Sequence, residues 1–380
     1  MDFHLTEEQL EIQRTVRKFA NNEMAPLAEE IDRDERFPAE TFKKMGEMGL
    51  LGLMIPEEYG GADASVVTFC VVGEELARAC ASTTLSYGAH AVLCAHHLAS
   101  NGSDEQKKRY LPALATGAKL GAIAMTEPEA GSDVLSMRTF AEKQNGEYIL
   151  NGTKTFITNG PLADIIIVYA RTDKNAGPRG ISTFIVENTF PGFSVGKKFK
   201  KMGMRGSPTS ELIFEDCRVP AENLMGQENG GLRILMSGLD IERAVGGALC
   251  VGLARAAFEE SVKYAKERAQ FGQPLITFQM IGEMLANMST EIEAARLLTF
   301  KAAALCDEGT RATVEASHAK LFAAEAAMRA TTNAVQIHGG YGYMQEFGIE
   351  RLMRDAKLLS IGGGTSQIQQ LIIVRELMKG

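Results

Sequence analysis

The stretch Met236-Ser237-Gly238-Leu239-Asp240-Ile241-Glu242-Arg243-Ala244-Val245-Gly246 lies inside a helical pattern that runs from Leu232 to about Arg268. On that helix Glu242 shares a face with Leu235, Gly238 and Leu239 before it, and with Val245, Gly246 and Leu249 after it. No Lys or Arg stands one turn away from it, whereas Asp240 and Arg243 are spaced to meet each other. A carboxylate turned toward an apolar interior has its pKa raised by desolvation and becomes a better general base, and the flanking glycines leave room for a ligand. The same pattern also describes a Glu snorkelling at a helix edge. Periodicity alone leaves both readings open.

Downstream, the pattern stays helical through Thr277 to Cys306, through Thr313 to about Ile337 after the Cys306-Asp307-Glu308-Gly309 break, and through Ser366 to Met378. Long helices joined by short loops predict an antiparallel four-helix bundle. Upstream, the period changes to alternation. Glu147 to Asn151, Thr155 to Thr158, Asp164 to Ala170, Ile181 to Val186, Phe193 to Lys198 and Glu211 to Phe214 are short runs rich in Ile, Val, Phe and Thr, separated by Gly, Pro and Asn. They predict a small antiparallel barrel or sandwich, not β-α-β units. The run Lys197-Lys198-Phe199-Lys200-Lys201 reads as a solvated edge that protects a strand, or less directly as a phosphate or partner contact.

Residues 3 to about 120 read as helices. Thr6 and Gln9 form a capping-box pattern ahead of Ile12, Val16, Phe19 and Ala20. Further helices are expected at Ala39 to Gly49, Ser65 to Ala81, Leu85 to Asn101 and from Ser103 through Leu114, with turn residues at Pro56 to Gly61. His96 and His97 are adjacent, but neighbouring helical residues point in different directions, so a shared metal is disfavoured. The expected fold class is therefore α+β: an N-terminal all-α domain over 1–120, a middle β domain over 121–227 and a helical bundle over 228–380.

The chain has 380 residues, 45% of them apolar and 23% charged, which suits a globular protein of two or three domains. A net charge of −8 argues against a nucleic-acid partner, since phosphate-binding surfaces need excess Lys and Arg. The six cysteines are scattered, without a Cys-x-x-Cys pair or a grouping with histidine. No apolar run approaches a membrane span, and Met1-Asp2-Phe3-His4 lacks the character of a signal peptide. A soluble interior compartment is expected, the cytoplasm of a bacterium or the mitochondrial matrix for a mature eukaryotic chain.

Three glycine-bearing loops sit at the edges of regular elements: Met125 to Asp133, His338-Gly339-Gly340-Tyr341-Gly342-Tyr343 and Ile361-Gly362-Gly363-Gly364-Thr365-Ser366-Gln367. The first offers a hydroxyl and free backbone N–H groups to a polar cofactor, or is an ordinary linker. The other two lie beside helix ends, where N–H groups can hold pyrophosphate or ribose oxygens. There is no Walker A pattern and no Gly-x-Gly-x-x-Gly between a strand and a helix, so a Rossmann-type nicotinamide site has no support.

In this order the stretches resemble the acyl-CoA dehydrogenase family of FAD-dependent enzymes over essentially the whole chain. The markers are Met125 to Asp133, Phe156-Ile157-Thr158-Asn159-Gly160, Lys201 to Ser207, Arg268-Ala269-Gln270-Phe271-Gly272, Gln336 to Gly340, Arg354-Asp355-Ala356-Lys357 and Gly364 to Gln367. Many members carry the catalytic Glu at the position of Gly363 here. The isovaleryl-CoA dehydrogenase branch and some long-chain members place it where Glu242 stands, and Leu85 to His90, Met236 to Asp240 and Cys306 to Gly309 also resemble that branch.

The resemblance implies α,β-dehydrogenation of an acyl-CoA thioester, with Glu242 removing the α-proton and the β-hydrogen passing as hydride to flavin N5. Charge developing on the thioester oxygen would be met by the Gly363 N–H and a flavin hydroxyl. Met125, Thr126, Ile157 and Thr158 would face the flavin ring, with Phe156 packing on it where members often have Trp. Arg268, Phe271, Gln279, Gln336, Gly339, Gly340, Thr365 and Gln367 would hold pyrophosphate and adenosine, in part from a neighbouring subunit of a homotetramer. Ser132, Arg233, Asp240, Arg243 and Gly364 are the implied contacts to the pantetheine, CoA and thioester. Asp240 and Arg243 serve equally well as a structural ion pair. The implied electron acceptor is an electron-transferring flavoprotein, with an oxygen-using oxidase as the rival and a non-catalytic helical interaction protein as a third reading. A short branched acyl group such as isovaleryl is expected, with bulkier cyclic or aryl-substituted groups as the alternative. Members that take glutaryl-CoA have an Arg near the place of Thr84.

Overall fold

The computed structural model describes residues 4–379, so the reading of Met1 to Phe3 lies outside the described residues. Helix α1 (Glu7–Phe19) begins with the expected capping box: the Thr6 hydroxyl accepts from the Gln9 N–H and the Gln9 side chain accepts from the Thr6 N–H. Two short helices follow, α2 (Ala28–Asp34) and α3 (Ala39–Glu47), the latter ending before Gly49, whose φ of 74° suits glycine. The two helices expected at Ser65–Ala81 and Leu85–Asn101 are present, with the break between them at Cys80, whose φ of −157° and ψ of 97° are non-helical. Helix α4 (Val66–Gly88) continues through a π-helical stretch, Ala89–His96, into α5 (His97–Asn101), with a break at Cys80 in its middle. Helix α6 (Asp104–Thr116) carries a second capping box, Ser103 with Gln106.

The middle of the chain forms an eight-stranded sheet: β1 (Gly121–Ala124), β2 (Phe140–Gln144), β3 (Glu147–Thr158), β4 (Ile165–Arg171), β5 (Ile181–Glu187), β6 (Phe193–Lys198), β7 (Thr209–Pro220) and β8 (Leu224–Met225). The order is β6-β7-β3-β2-β4-β5-β8, with β1 beside β4. Three strands were not anticipated, β1, β2 and β8. Strand β1 reads Gly-Ala-Ile-Ala, a composition of low strand propensity, and tertiary packing overrides it. Two of the pairings, β1 with β4 and β2 with β4, are parallel, so the sheet is mixed and not purely antiparallel. The two runs expected at Glu147–Asn151 and Thr155–Thr158 belong to one strand whose register against β7 shifts between Leu150 and Gly152 and between Lys154 and Ile157.

Strand β4 explains how the sheet joins the helices. Ile165, Ile167 and Tyr169 pack with Leu98, Leu111 and Leu114 of the helices, while Ile166, Val168 and Ala170 pack inside the sheet with Phe184 and Leu212. A strand buried on both faces shows a continuous apolar run, as Ile-Ile-Ile-Val-Tyr-Ala does. The lysine run is only in part a solvated edge. Lys197, Lys198 and Lys200 are exposed, but Lys201 turns inward to the Ser207 carbonyl, and burial lowers its pKa to about 8.

The C-terminal part holds α7 (Gly231–Glu267), α8 (Gln279–Asp307), α9 (Thr313–His338), α10 (Ile349–Leu359) and α11 (Ser366–Leu377). Helices α7 and α9 pack along an alanine seam that includes Ala254, Ala257, Ala323, Ala327 and Ala330. Ala244, Ala248, Ala316 and Ala319 extend this packing into the core of α1, α3 and α4. Small side chains let the axes approach closely, which is why the helix bearing Glu242 sits in the centre of the molecule. Arg17, Arg255 and Arg296 converge on the buried carboxylates of Glu74 and Glu75, tying α1, α7 and α8 to α4. Helix ends are also capped across elements. Asp307 accepts from the N–H groups of Val66 and Val67, and Asp240 accepts from the Ala312 N–H and the Thr313 hydroxyl at the start of α9.

Candidate functional site

Glu242 projects from the fourth turn of α7 and is half-buried. Burial raises its pKa above the ordinary glutamate value, opposed by the positive charges of Arg243 and Lys320. Its Oε1 lies 3.4 Å from the point where a Cβ on Gly363 would stand. The loop between α10 and α11 thus faces the carboxylate directly. Gly363 and Gly364 both have positive φ, 64° and 82°, so this turn is one that glycine adopts without strain.

The predicted residues gather in three places. Around Glu242 stand Gly363, Gly364 and Thr365, whose hydroxyl caps α11 by accepting from the Ile368 N–H at 3.1 Å. Asp240 and Arg243 meet at 3.2 Å, as the spacing predicted, and both are largely buried. Arg233, at the start of α7, and Gln367, at the start of α11, are exposed. The loop after β1 joins this group because Ala130, Val134 and Leu135 share a core with Ile234, Leu235 and Leu239 of α7. Ser132, at the tip of that loop, is exposed.

The second group lies at the C-terminal end of β3, an interior strand of the sheet, and in the loop after β1. The register shift in β3 gives Phe156 a φ of 58° and leaves it 64% exposed, its ring 5.2 Å from that of Phe199. Ile157 is buried, and the hydroxyls of Thr126 and Thr158 make no bond within the described residues. Met125 and Thr126 are pinned by Lys154, which sequence reasoning missed. Its Nζ donates to the Met125 carbonyl at 3.0 Å and to Glu127 at 2.7 Å, and Glu127 also accepts from the N–H groups of Arg138 and Thr139. Burial pulls Lys154 down to about 8, while Lys154 and the two N–H groups hold Glu127 below the ordinary range against the opposing effect of burial. Replacing one partner of such a pair strands the other charge. Lys154→Met is expected to cost about 3 kcal/mol of stability and to loosen the Met125–Thr126 backbone. Thermal unfolding would check this, and Lys154→Met with Glu127→Gln should recover part of the loss.

The third group lies at the far end of the bundle. Arg268 sits 5.6 Å from the centre of the Tyr341 ring, and Tyr264 stacks on His338 at 4.2 Å, so Arg268, Phe271, Gln336, Gly339 and Gly340 share one corner. At about 1.5 Å per residue along α7, that corner is about 38 Å from Glu242. Gln279 opens α8 nearby and is exposed. Phe271 is 93% exposed, and Tyr343 and Met280 are exposed as well.

Lys320 was also missed, although the signal was present. It stands on the alanine face of α9 with Ala316, Ala319, Ala323 and Ala324, a lone charge on an apolar stripe by the same logic that singled out Glu242. The adjacent histidines have separate partners. His97 pairs with the Tyr169 hydroxyl at 2.6 Å and His96 with Ser100, and no group of ligating side chains occurs among the described residues.

A carboxylate of raised pKa opposite a glycine turn, between a bundle and a sheet with an exposed aromatic, is an arrangement chemically able to accept a proton from carbon. The chain belongs to the acyl-CoA dehydrogenase family: it matches the N-terminal domain over residues 6–118, the middle domain over 122–217 and the C-terminal domain over 229–378. It is 47% identical over 379 residues to a short-chain specific acyl-CoA dehydrogenase of Clostridium acetobutylicum, with all of both chains covered. It is 46% identical to a mitochondrial isovaleryl-CoA dehydrogenase of Pongo abelii, covering 98% of this chain and 89% of the relative. Among solved structures, butyryl-CoA dehydrogenase from Megasphaera elsdenii superposes with a TM-score of 0.97 at 43% identity over the whole of both chains. No helix among the described residues is long and apolar enough to cross a membrane.

Proposed function

We propose that this chain dehydrogenates a short branched acyl-CoA, such as isovaleryl-CoA, between Cα and Cβ, with Glu242 as the base. The observation that carries the proposal is the Glu242 carboxylate, raised in pKa by burial, 3.4 Å from the side-chain position of Gly363. The C–H electron pair released at Cα forms the new double bond as the proton passes to Glu242. The Gly363 N–H, presented by a turn with positive φ, is the proposed donor to the thioester oxygen.

The residues fit FAD. Phe156 offers an exposed aromatic face, Thr126 and Thr158 offer unpaired hydroxyls, and a Cβ at Gly339 or Gly340 would meet nothing, which leaves the backbone open to close approach. Bound there, FAD supplies the acceptor for the β-hydride. Met125, Ile157 and Thr158 would face its ring, and Thr365 and Gln367 would hold its linker. Arg268, Phe271, Gln279, Gln336, Gly339 and Gly340 stand too far from Glu242 to serve the same flavin in one subunit. Their exposure supports a role toward a neighbouring copy, in keeping with a homotetramer. Ser132 and Arg233 are exposed and Asp240 and Arg243 neighbour Glu242 on α7, and these four are the proposed contacts of the CoA portion. An electron-transferring flavoprotein is the proposed acceptor.

The relatives divide between short-chain and isovaleryl enzymes at nearly equal identity, so the acyl group must be read from a substrate panel. The purified protein is expected to be yellow and to lose its long-wavelength flavin band on adding isovaleryl-CoA faster than with butyryl-CoA or glutaryl-CoA. A preparation that takes up no FAD, or whose flavin no acyl-CoA reduces, would sink the proposal. Peroxide release without dye reduction would instead mark an oxidase.

A further inference from the structure

The turn that faces Glu242 is held from below by one charged side chain. Lys320 of α9 is 4% exposed, and its Nζ donates to the Leu359 carbonyl at 2.8 Å and to the Gly364 carbonyl at 2.7 Å. These two carbonyls bracket the loop from the end of α10 to the cap of α11. Gln369 adds bonds to the carbonyls of Gly363 and Gly364 at 3.2 and 3.1 Å, and the Ser366 N–H closes the loop on the Ser360 carbonyl. The point where a Gly363 Cβ would stand is 4.0 Å from Lys320 Cε and 3.4 Å from Glu242 Oε1. One lysine therefore touches the turn and stands beside the carboxylate.

We propose that Lys320 is a positioning residue for the proton-abstraction step: it clamps the glycine turn to α9 and holds a fixed positive charge beside the Glu242 carboxylate. The inference rests on Glu242 being the base. A buried ammonium is costly unless its donors are satisfied, and two carbonyl oxygens, which favour its charged form, satisfy two of the three. Burial still pulls Lys320 below the ordinary lysine value, opposed by Cys250, Glu242 and Glu325, with Arg243 adding to the lowering. The groups facing Glu242 are Arg243 beside it on α7, Lys320 from α9 and the Tyr169 hydroxyl from β4. Lys320 is thus the charge that α9 brings to a helix face which carries no cation of its own.

The test uses Lys320→Met and Lys320→Arg in the full-length protein with two readouts. The first is a difference-infrared titration of the Glu242 carboxyl in FAD-free protein, assigned by its loss in Glu242→Gln. The second is the acidic limb of the kcat/KM profile of the FAD-loaded enzyme. Removing a nearby positive charge disfavours the carboxylate, so in Lys320→Met both midpoints should rise by about one pH unit. Loosening the turn should lower kcat by about tenfold. Lys320→Arg should keep both midpoints near wild type while kcat stays low, because the wider guanidinium does not fit both carbonyls. If Lys320→Met does not fold, Lys320→Gln, which retains a donor for one carbonyl, is read in the same way. A Glu242 titration that does not move in the uncharged variant overturns the proposal. Wild-type protein whose flavin no acyl-CoA reduces overturns the dehydrogenase reading instead, so the two failures are distinct.

Discussion

Glu242→Gln is expected to bind FAD and acyl-CoA like the wild type yet to lose kcat by about 10²–10⁴-fold, the range that a general base contributes. The change is near-isosteric, so packing along α7 against Ala244, Ala248 and the α9 seam should survive and the unfolding temperature should stay within a few degrees. The base acts only when ionised. Because burial raises the Glu242 pKa, kcat/KM of the wild type should fall tenfold per pH unit below a midpoint above the ordinary glutamate range, and the fall should be absent from the residual rate of the variant. Stopped-flow reduction of bound flavin across pH reads both quantities. Turnover within a few-fold of wild type in Glu242→Gln would remove Glu242 from the chemistry.

The second large effect is expected when the carboxylate is moved. Gly363→Glu alone should impair the enzyme. Its Cβ would stand 3.4 Å from Glu242 Oε1, so two carboxyl groups would compete for one space and could not both ionise easily. A side chain at φ 64° also costs about 1–2 kcal/mol. Glu242→Gly with Gly363→Glu should do better than Glu242→Gly, because a carboxylate on either backbone then reaches the same point. A misplacement of about 1 Å costs about 10²-fold, so recovery should be partial. Rates no higher in the double variant than in Glu242→Gly would show that the two positions do not address a common reacting atom.

Much of this site was legible because local rules and fold agree along most of the chain. The capping box at Thr6 and Gln9, the long α7, α8 and α9, and the Asp240–Arg243 pair all follow from spacing within one element. Spacing fails where a contact joins distant segments. The short β1 and its parallel pairing with β4 are decided by what packs on them, not by their own residues. Lys154 was missed because it looks like an ordinary strand lysine until its acceptors, 17 or more residues away, are brought to it, whereas Lys320 showed as a lone charge on the alanine face of α9 but with no sign of the carbonyls it would meet.

The sequence by itself determined the class of fold, the family and the fact that a lone carboxylate rides an apolar face of the central helix. Periodicity could not separate a base from a stray Glu, since it describes one helix and says nothing about its neighbours, and only the family resemblance, with Gly363 where many members carry the catalytic Glu, pointed to Glu242. The tertiary structure supplied the neighbours. It set the Gly363 turn against Glu242, placed Lys320 beneath that turn and put Arg268 and its companions at the opposite end of α7. The physical reason is that desolvation and charge proximity, which set the proton affinity of Glu242, are properties of packed surroundings and exist only once distant helices meet.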